Sequence, residues 1–173
     1  RIRTYGHHFE AGETTFLEIK HRNNDLVRKY RYLFPDFEEA LLDPALWKIQ
    51  DPQMESAFMT LLERHRLRAS AQTYYQREAY EGLVEKDVRV TFDTVLLGLH
   101  PYERLSPKIL HDPGRRLMAD TLAILELKST KGFPPWIYEG IVAAELQQKT
   151  IPKYVTAVEV LRLPETNVGG IYA

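Results

Sequence analysis

The sequence predicts an α+β fold: antiparallel strands with cations on one face and apolar residues on the other, and helices available to cover the apolar side. Three observations point there. Short segments alternate between apolar and polar residues with period two, the pattern of strands in a half-buried sheet. Only a few turn-forming residues separate several of them, which joins neighbours antiparallel. Helical spacing takes over in the middle of the chain and again before its last segment.

Length and composition bound the rest. At 173 residues the chain fits one domain with a real core, read as residues 1–163 followed by a tail, 164–173. Twenty-three Lys and Arg against 24 Asp and Glu leave no overall bias toward nucleic acid or membrane, so any basic site must come from local sorting of charge. The absence of cysteine excludes a disulfide framework and thiolate chemistry. No run approaches the ~18–20 apolar residues of a spanning helix, and no signal-peptide pattern is present. A cytoplasmic domain is the expectation. The sequence opens directly on a strand, so one or more preceding strands are expected to be missing.

That strand, residues 1–5, puts Arg1, Arg3 and Tyr5 on one face and Ile2 and Thr4 on the other. A glycine-bounded loop leads to Thr15–Arg22, where Phe16, Glu18, Lys20 and Arg22 oppose Leu17, Ile19 and His21. Asn23-Asn24-Asp25 has turn chemistry. Leu26–Leu33 follows, with Val27, Lys29 and Arg31 on one face and Leu26, Arg28, Tyr30 and Tyr32 on the other. A short helix is expected over Phe37–Leu42 and a further segment over Ala45–Gln50. Asp51-Pro52 opens a longer helix, Gln53–Arg68, whose Met54, Phe58, Leu61 and Leu62 read as core. Strands return at Gln72–Tyr80 and Asp87–Val95. Residues 96–120, rich in proline and glycine, read as loop. Leu122–Lys128 is a strand; after a breaker cluster comes a helix from Trp136 to about Lys149, with Trp136, Ile137, Ile141, Val142 and Leu146 as its packing or plugging stripe. A final strand is expected over Val155–Leu163.

Sorted by face, basic residues gather on one side of six strands: Arg1 and Arg3, Lys20 and Arg22, Lys29 and Arg31, Arg77, Arg89, and Lys128. Lys153 begins the last segment. Two readings stand. One is a half-buried sheet with a solvated side. The other is an inside-out barrel, with apolar faces packed outward on helices and a charged lumen. A lumen lined by roughly ten cations holds only if an anion, water or counter-charge fills it. A carboxylate in such a field either pairs with a neighbouring cation or holds a divalent metal on phosphate oxygens. Glu126 is the first candidate for the metal and Glu18 the second.

Seven short motifs, in order over almost the whole chain, carry a resemblance: Arg1-Ile2-Arg3-Thr4-Tyr5-Gly6, Phe16-Leu17-Glu18-Ile19-Lys20, Tyr75-Gln76-Arg77, Val88-Arg89-Val90-Thr91-Phe92-Asp93, Leu125-Glu126-Leu127-Lys128, Pro135-Trp136-Ile137 and Lys153-Tyr154. Together they resemble the VTC domain, the polyphosphate polymerase domain named after the vacuolar transporter chaperone complex and grouped with the CYTH and triphosphate tunnel metalloenzymes. The resemblance implies an antiparallel β-barrel, an eight-stranded tunnel lined with Arg and Lys and with helices packed outside. It implies transfer of the γ-phosphoryl group of ATP to inorganic polyphosphate, with a divalent metal, Mn²⁺ or Mg²⁺. The tunnel cations would be Arg1, Arg3, Lys20, Lys29, Arg77, Arg89, Lys128 and Lys153, with Tyr75 beside them and Glu126 on the metal; Arg22 and Arg31 follow from alternation. Pro152-Lys153-Tyr154 departs from the family's usual Ser-Lys-Tyr and loses a hydroxyl. No nucleic acid partner is expected, and a membrane-protein partner would not be visible in the sequence. No residue stands out as a general base, His7, His8 and His21 lying in or near the first hairpin, which favours polymerase over an inorganic or nucleoside triphosphatase. The third possibility is a module that binds polyphosphate or nucleotide without turnover.

Overall fold

A computed structural model describes residues 1–6, 14–23, 26–34, 40 and 42–161, without the side chains of 21–23, 26 and 27. The fold is α+β. Among the described residues, six strands form two three-stranded antiparallel sheets, accompanied by four α-helices; the expected closed barrel is not seen among their strand pairings. The chain divides into two compact units, Arg1–Ala69 and Ser70–Ala173.

The first unit holds β1 (Ile2–Tyr5), β2 (Thr14–Asn23) and β3 (Leu26–Phe34), in that order across the sheet. Register sets Ile2 and Tyr32 on either side of Leu17, and Arg31 opposite Glu18. The predicted faces therefore coincide from strand to strand. On the apolar face, Leu17, Ile19 and Phe34 pack with Ile49 and with Met54 and Phe58 of α1 (Pro52–His65). Trp47 stacks on Phe58 at 4.9 Å and meets Phe34 edge-on at 5.0 Å. Each such apolar side chain contributes about 1.5–3 kcal/mol on burial. The Asp51 carboxylate caps α1 by accepting from the Gln53 and Met54 N–H groups, with Pro52 in the first turn. A left-handed Arg66 (φ 47°) ends the helix two residues before the expected Arg68. The expected Ala45–Gln50 segment is a 3₁₀ turn over Pro44–Leu46; the expected Phe37–Leu42 helix falls largely outside the described residues.

The second unit holds β4 (Gln72–Glu81), β5 (Arg89–Leu99) and β6 (Ile124–Lys128), again in sheet order, with α2 (Pro107–Leu110), α3 (Pro135–Ala143) and α4 (Lys153–Val160). Three expectations are corrected here. The start of the 96–120 loop is strand, because Leu96, Leu97 and Leu99 are buried and extend β5. The final strand, Val155–Leu163, is α4 instead: its β-branched run has strand propensity, but a short apolar run does not distinguish strand from buried helix, and packing decides. The helix after Trp136 stops at Ala143 rather than near Lys149, with Glu145 in a left-handed conformation just beyond it (φ 50°). Of its apolar stripe Ile137 is buried, while Trp136, Val142 and Leu146 are exposed. None of the helices among the described residues is long and apolar enough to cross a membrane.

A β-bulge divides β5. The register against β4 shifts between Tyr74 and Gln76, and opposite that shift Val95 has a φ of 52°. A β-branched residue in the left-handed region costs on the order of 1–3 kcal/mol, and a bulge re-aims the strand beyond it. Before the bulge, Arg89, Thr91 and Asp93 share a face with Arg77 and Glu126; after it, Gly98 pairs with Thr73 and continues that face without charge. There α4 approaches closely: a Cβ on Gly98 would stand 3.5 Å from Ala157 and 3.2 Å from Leu117 Cδ2. This small contact fixes where the first residue of α4, Lys153, comes to lie.

Candidate functional site

In the first unit, alternation along β1, β2 and β3 brings four of the expected cations to one acid. Glu18 is almost sealed from solvent, its side chain 2% exposed. Its Oε2 accepts from Arg1 Nε at 2.8 Å, with Arg3 Nε at 3.9 Å; its Oε1 accepts from Arg31 Nε and Nη2 at 3.0 and 2.8 Å, with Lys29 Nζ at 3.3 Å. Burial alone would raise the Glu18 pKa, but the hydrogen bonds from Arg1 and Arg31 and the charges of Arg3 and Arg1 outweigh it and bring it down to about 2. Tyr5 accepts from Arg3 and Arg31 through its hydroxyl, and Arg31 lies 4.1 Å over the Phe16 ring. The guanidiniums are thus held flat and in place around a carboxylate with four cations on it. Lys20 is exposed on the same face, directly across from Lys29, and none of the described acids pairs with it. Arg22 pairs with Val27 through the backbone register, and its side chain lies outside the described residues.

In the second unit Asp93 is completely buried. Its two oxygens receive the Arg77 guanidinium in a fork, Oδ2 to Nη2 at 2.7 Å, and Oδ2 also receives Lys153 Nζ. Burial opposes ionisation of Asp93, but the hydrogen bonds from Arg77 and Lys153 hold its carboxyl below the usual range; in turn the Asp93 hydrogen bond pushes the Arg77 pKa up. The Tyr75 ring faces both cations, 5.1 Å from the Arg77 guanidinium carbon and 4.4 Å from Lys153 Nζ. Arg77 Nη2 also reaches Glu126 Oε2 at 3.3 Å, and Lys128 Nζ bonds Glu126 Oε1 at 2.8 Å. The Lys128 contact, with the charges of Lys128 and Arg77, lowers the Glu126 pKa against the effect of burial. Arg89 lies directly across from Lys128 and pairs outward with Glu81. An open cavity of about 560 Å³ adjoins that end, lined among others by Lys86, Asp87, Arg89, Lys128, Ser129 and Thr130.

The structure therefore gathers Arg1, Arg3, Lys29 and Arg31 around Glu18, and Tyr75, Arg77, Lys128, Lys153 and Glu126 around or beside Asp93. Two residues that organise these groups were not singled out from sequence. Asp93 closes one of the seven motifs but has no role assigned there; its spacing, two residues from Thr91 and four from Arg89 on one strand face, is the available signal. Asp87 accepts from the Ser129 and Thr130 hydroxyls and from the Thr130 and Lys131 N–H groups, which fastens the loop after β6 next to Lys128. Its pKa is lowered chiefly by the Ser129 hydrogen bond.

The two acids expected on a metal differ in fitness for it. Glu18 has its oxygens occupied by cations in a sealed position, so it does not suit a metal. The Glu126 side chain is 39% exposed and keeps lone pairs on both oxygens. Among the described residues no group of three His, Cys, Asp or Glu could form a protein-only cage. One carboxylate together with substrate phosphates is nonetheless the usual way Mg²⁺ is held at phosphoryl-transfer sites.

Comparison with known proteins returns one result. A family model described as the VTC domain matches residues 1–162. Neither the curated proteins nor the solved structures give a match. The match covers nearly the whole chain and is consistent with a polyphosphate-related function. The chain belongs to the VTC domain family.

Proposed function

We propose that the protein is an ATP-dependent polyphosphate polymerase whose basic sheet faces bind ATP and the polyphosphate chain. The observation that carries this reading is a pair of like charges directly across the strands in each sheet: Lys20 opposite Lys29 and Arg89 opposite Lys128. Lys29, Arg89 and Lys128 each already hold one carboxylate, Glu18, Glu81 and Glu126; the remaining repulsion across each pair is relieved when a further anion bridges it. A closed tunnel is part of what is proposed; the two charged faces are what supports it.

The chemistry asked of these residues is positioning and charge stabilisation. Arg77 and Lys153, oriented by Asp93, and Arg1, Arg3 and Arg31, oriented by Glu18, present fixed donors to phosphate oxygens at little reorganisation cost. Lys20, Lys29, Arg89 and Lys128 are exposed; Lys29, Arg89 and Lys128 each hold an ion pair, with Glu18, Glu81 and Glu126, that a mobile polyanion would compete for. Glu126 would hold the divalent cation, which when bound supplies neutralisation of charge on the phosphate oxygens. A terminal polyphosphate oxygen attacks the γ-phosphorus, a new P–O–P bond forms, and the bond to ADP breaks. That nucleophile is already anionic and needs no base. Water would benefit from one, and Glu18, Asp93 and Glu126 are each held ionised by cations, which makes them poor proton acceptors. Transfer to phosphate is favoured over hydrolysis on that ground.

The test is incubation of the protein with ATP and Mn²⁺, with long polyphosphate and one ADP per phosphate added as the expected products. Free phosphate and ADP alone would make it a triphosphatase. Salt-sensitive binding without product under Mn²⁺ or Mg²⁺ would make it a binding module.

A further inference from the structure

The charged face of the second sheet contains one polar group that nothing in the ion-pair network uses. Thr91 is 5% exposed, and its hydroxyl is buried with no hydrogen-bond partner among the described residues. Buried hydroxyls are ordinarily partnered, so an orphan at a ligand-facing position points to a partner that arrives with the ligand. By register Thr91 faces Glu126 on one side and Ala79 on the other. Along β5 it lies two residues from Arg89 and two from Asp93, which holds Arg77 and Lys153. It is the midpoint of a row with cations at both ends. Ala79, small and exposed, leaves the face open beside it. Rotation about the single χ1 bond carries the threonine hydroxyl between staggered positions, so it can be re-aimed toward a ligand without backbone movement.

We propose that Thr91 is a phosphate-contact residue: its hydroxyl donates a hydrogen bond to a non-bridging oxygen of a condensed phosphate spanning from Arg77 and Lys153 to Arg89 and Lys128. The inference rests on the polyphosphate reading and deepens it. The middle subsite is neutral and directional. It fixes one phosphate without adding to a charge that would trap a moving chain.

The probe is tripolyphosphate, titrated calorimetrically into the whole protein without metal. Unmodified protein comes first: if it does not bind, the polyphosphate reading itself fails. If it binds, Thr91→Val, which keeps the shape and removes the hydroxyl, is expected to weaken binding about three- to tenfold, the range of one neutral hydrogen bond. Its melting temperature should stay level or rise, since an orphaned hydroxyl is gone. Thr91→Ser should bind like the unmodified protein. The slope of affinity against salt should be unchanged in Thr91→Val and reduced in Lys128→Ala, because only the latter removes a charge. Binding by Thr91→Val equal to the unmodified protein overturns the proposal, as does a change in its salt slope. Should Thr91→Val not fold, Thr91→Ala and Thr91→Ser replace it: weaker binding by Ala than by Ser supports the contact, and equal binding overturns it.

Discussion

Glu18 in β2 and Asp93 in β5 are both nearly sealed carboxylates on a basic sheet face, yet they are provided for differently. Glu18 draws four cations from the three strands of its own sheet. Three of these are 41–61% exposed, so water already solvates much of their charge. Asp93 draws two, one from the adjacent strand and one from the start of a helix, and both are 28% exposed or less. The first centre is made by strand alternation alone. The second depends on the docking of α4 at Gly98. One acid gathers cations that could stand in water without it; the other compensates cations that could not.

The comparison breaks most sharply at Asp93. Asp93→Asn leaves Lys153 without its counter-charge and Arg77 with Glu126 alone, at 3.3 Å, and a loss of about 3–5 kcal/mol is expected in urea unfolding. Glu18→Gln should cost less, about 1–3 kcal/mol, because its cations return to solvent. If the two losses were equal, exposure of the partners would not be what distinguishes the centres. Acid sharpens the same point. With its folded pKa near 2 and an ordinary value of 4.5, Glu18 stabilises the fold above about pH 4.5, and that contribution disappears as pH falls toward 2. Thermal melts across that window should therefore drop more steeply for the unmodified protein than for Glu18→Gln. The smallest effect is expected at Lys20→Ala. Removing half of a like-charged pair should change stability by no more than about 0.5 kcal/mol, while weakening tripolyphosphate binding at low salt.

Much of this was legible in the sequence because strand alternation is rigid. Once Phe16–Lys20 alternates, Glu18 and Lys20 must share a face, and the pairing with Lys29 and Arg31 follows from any in-register hairpin. The Asp51-Pro52 helix start was equally local. What did not read out was set by packing. The run Val155-Thr156-Ala157-Val158 looks like strand, but it packs as a helix, with Ala157 fully buried and close to Gly98. The apolar stripe after Trp136 has core composition but little to pack against among the described residues. Asp93 looked like one acid among several until a helix delivered Lys153 to it, a contact between residues sixty apart in sequence.

The bulge at Val95 carries one more consequence. Side chains along a strand obey a two-beat count, and the extra residue resets the count once, in mid-strand. Before it, Arg89, Thr91 and Asp93 are phased onto the face of Arg77 and Glu126; after it, Gly98 takes the same face and lies against α4. β5 therefore has a reading frame. Single substitutions on either side of Val95 leave that frame unchanged, but an insertion or deletion at the bulge would put the two halves out of phase, so that Asp93 and Gly98 would no longer share a face while every residue of the motif stayed present. A sequence with every motif residue and one residue too few between Asp93 and Gly98 would keep its pattern and lose either the Asp93–Arg77 pairing or the seat of α4 at Gly98.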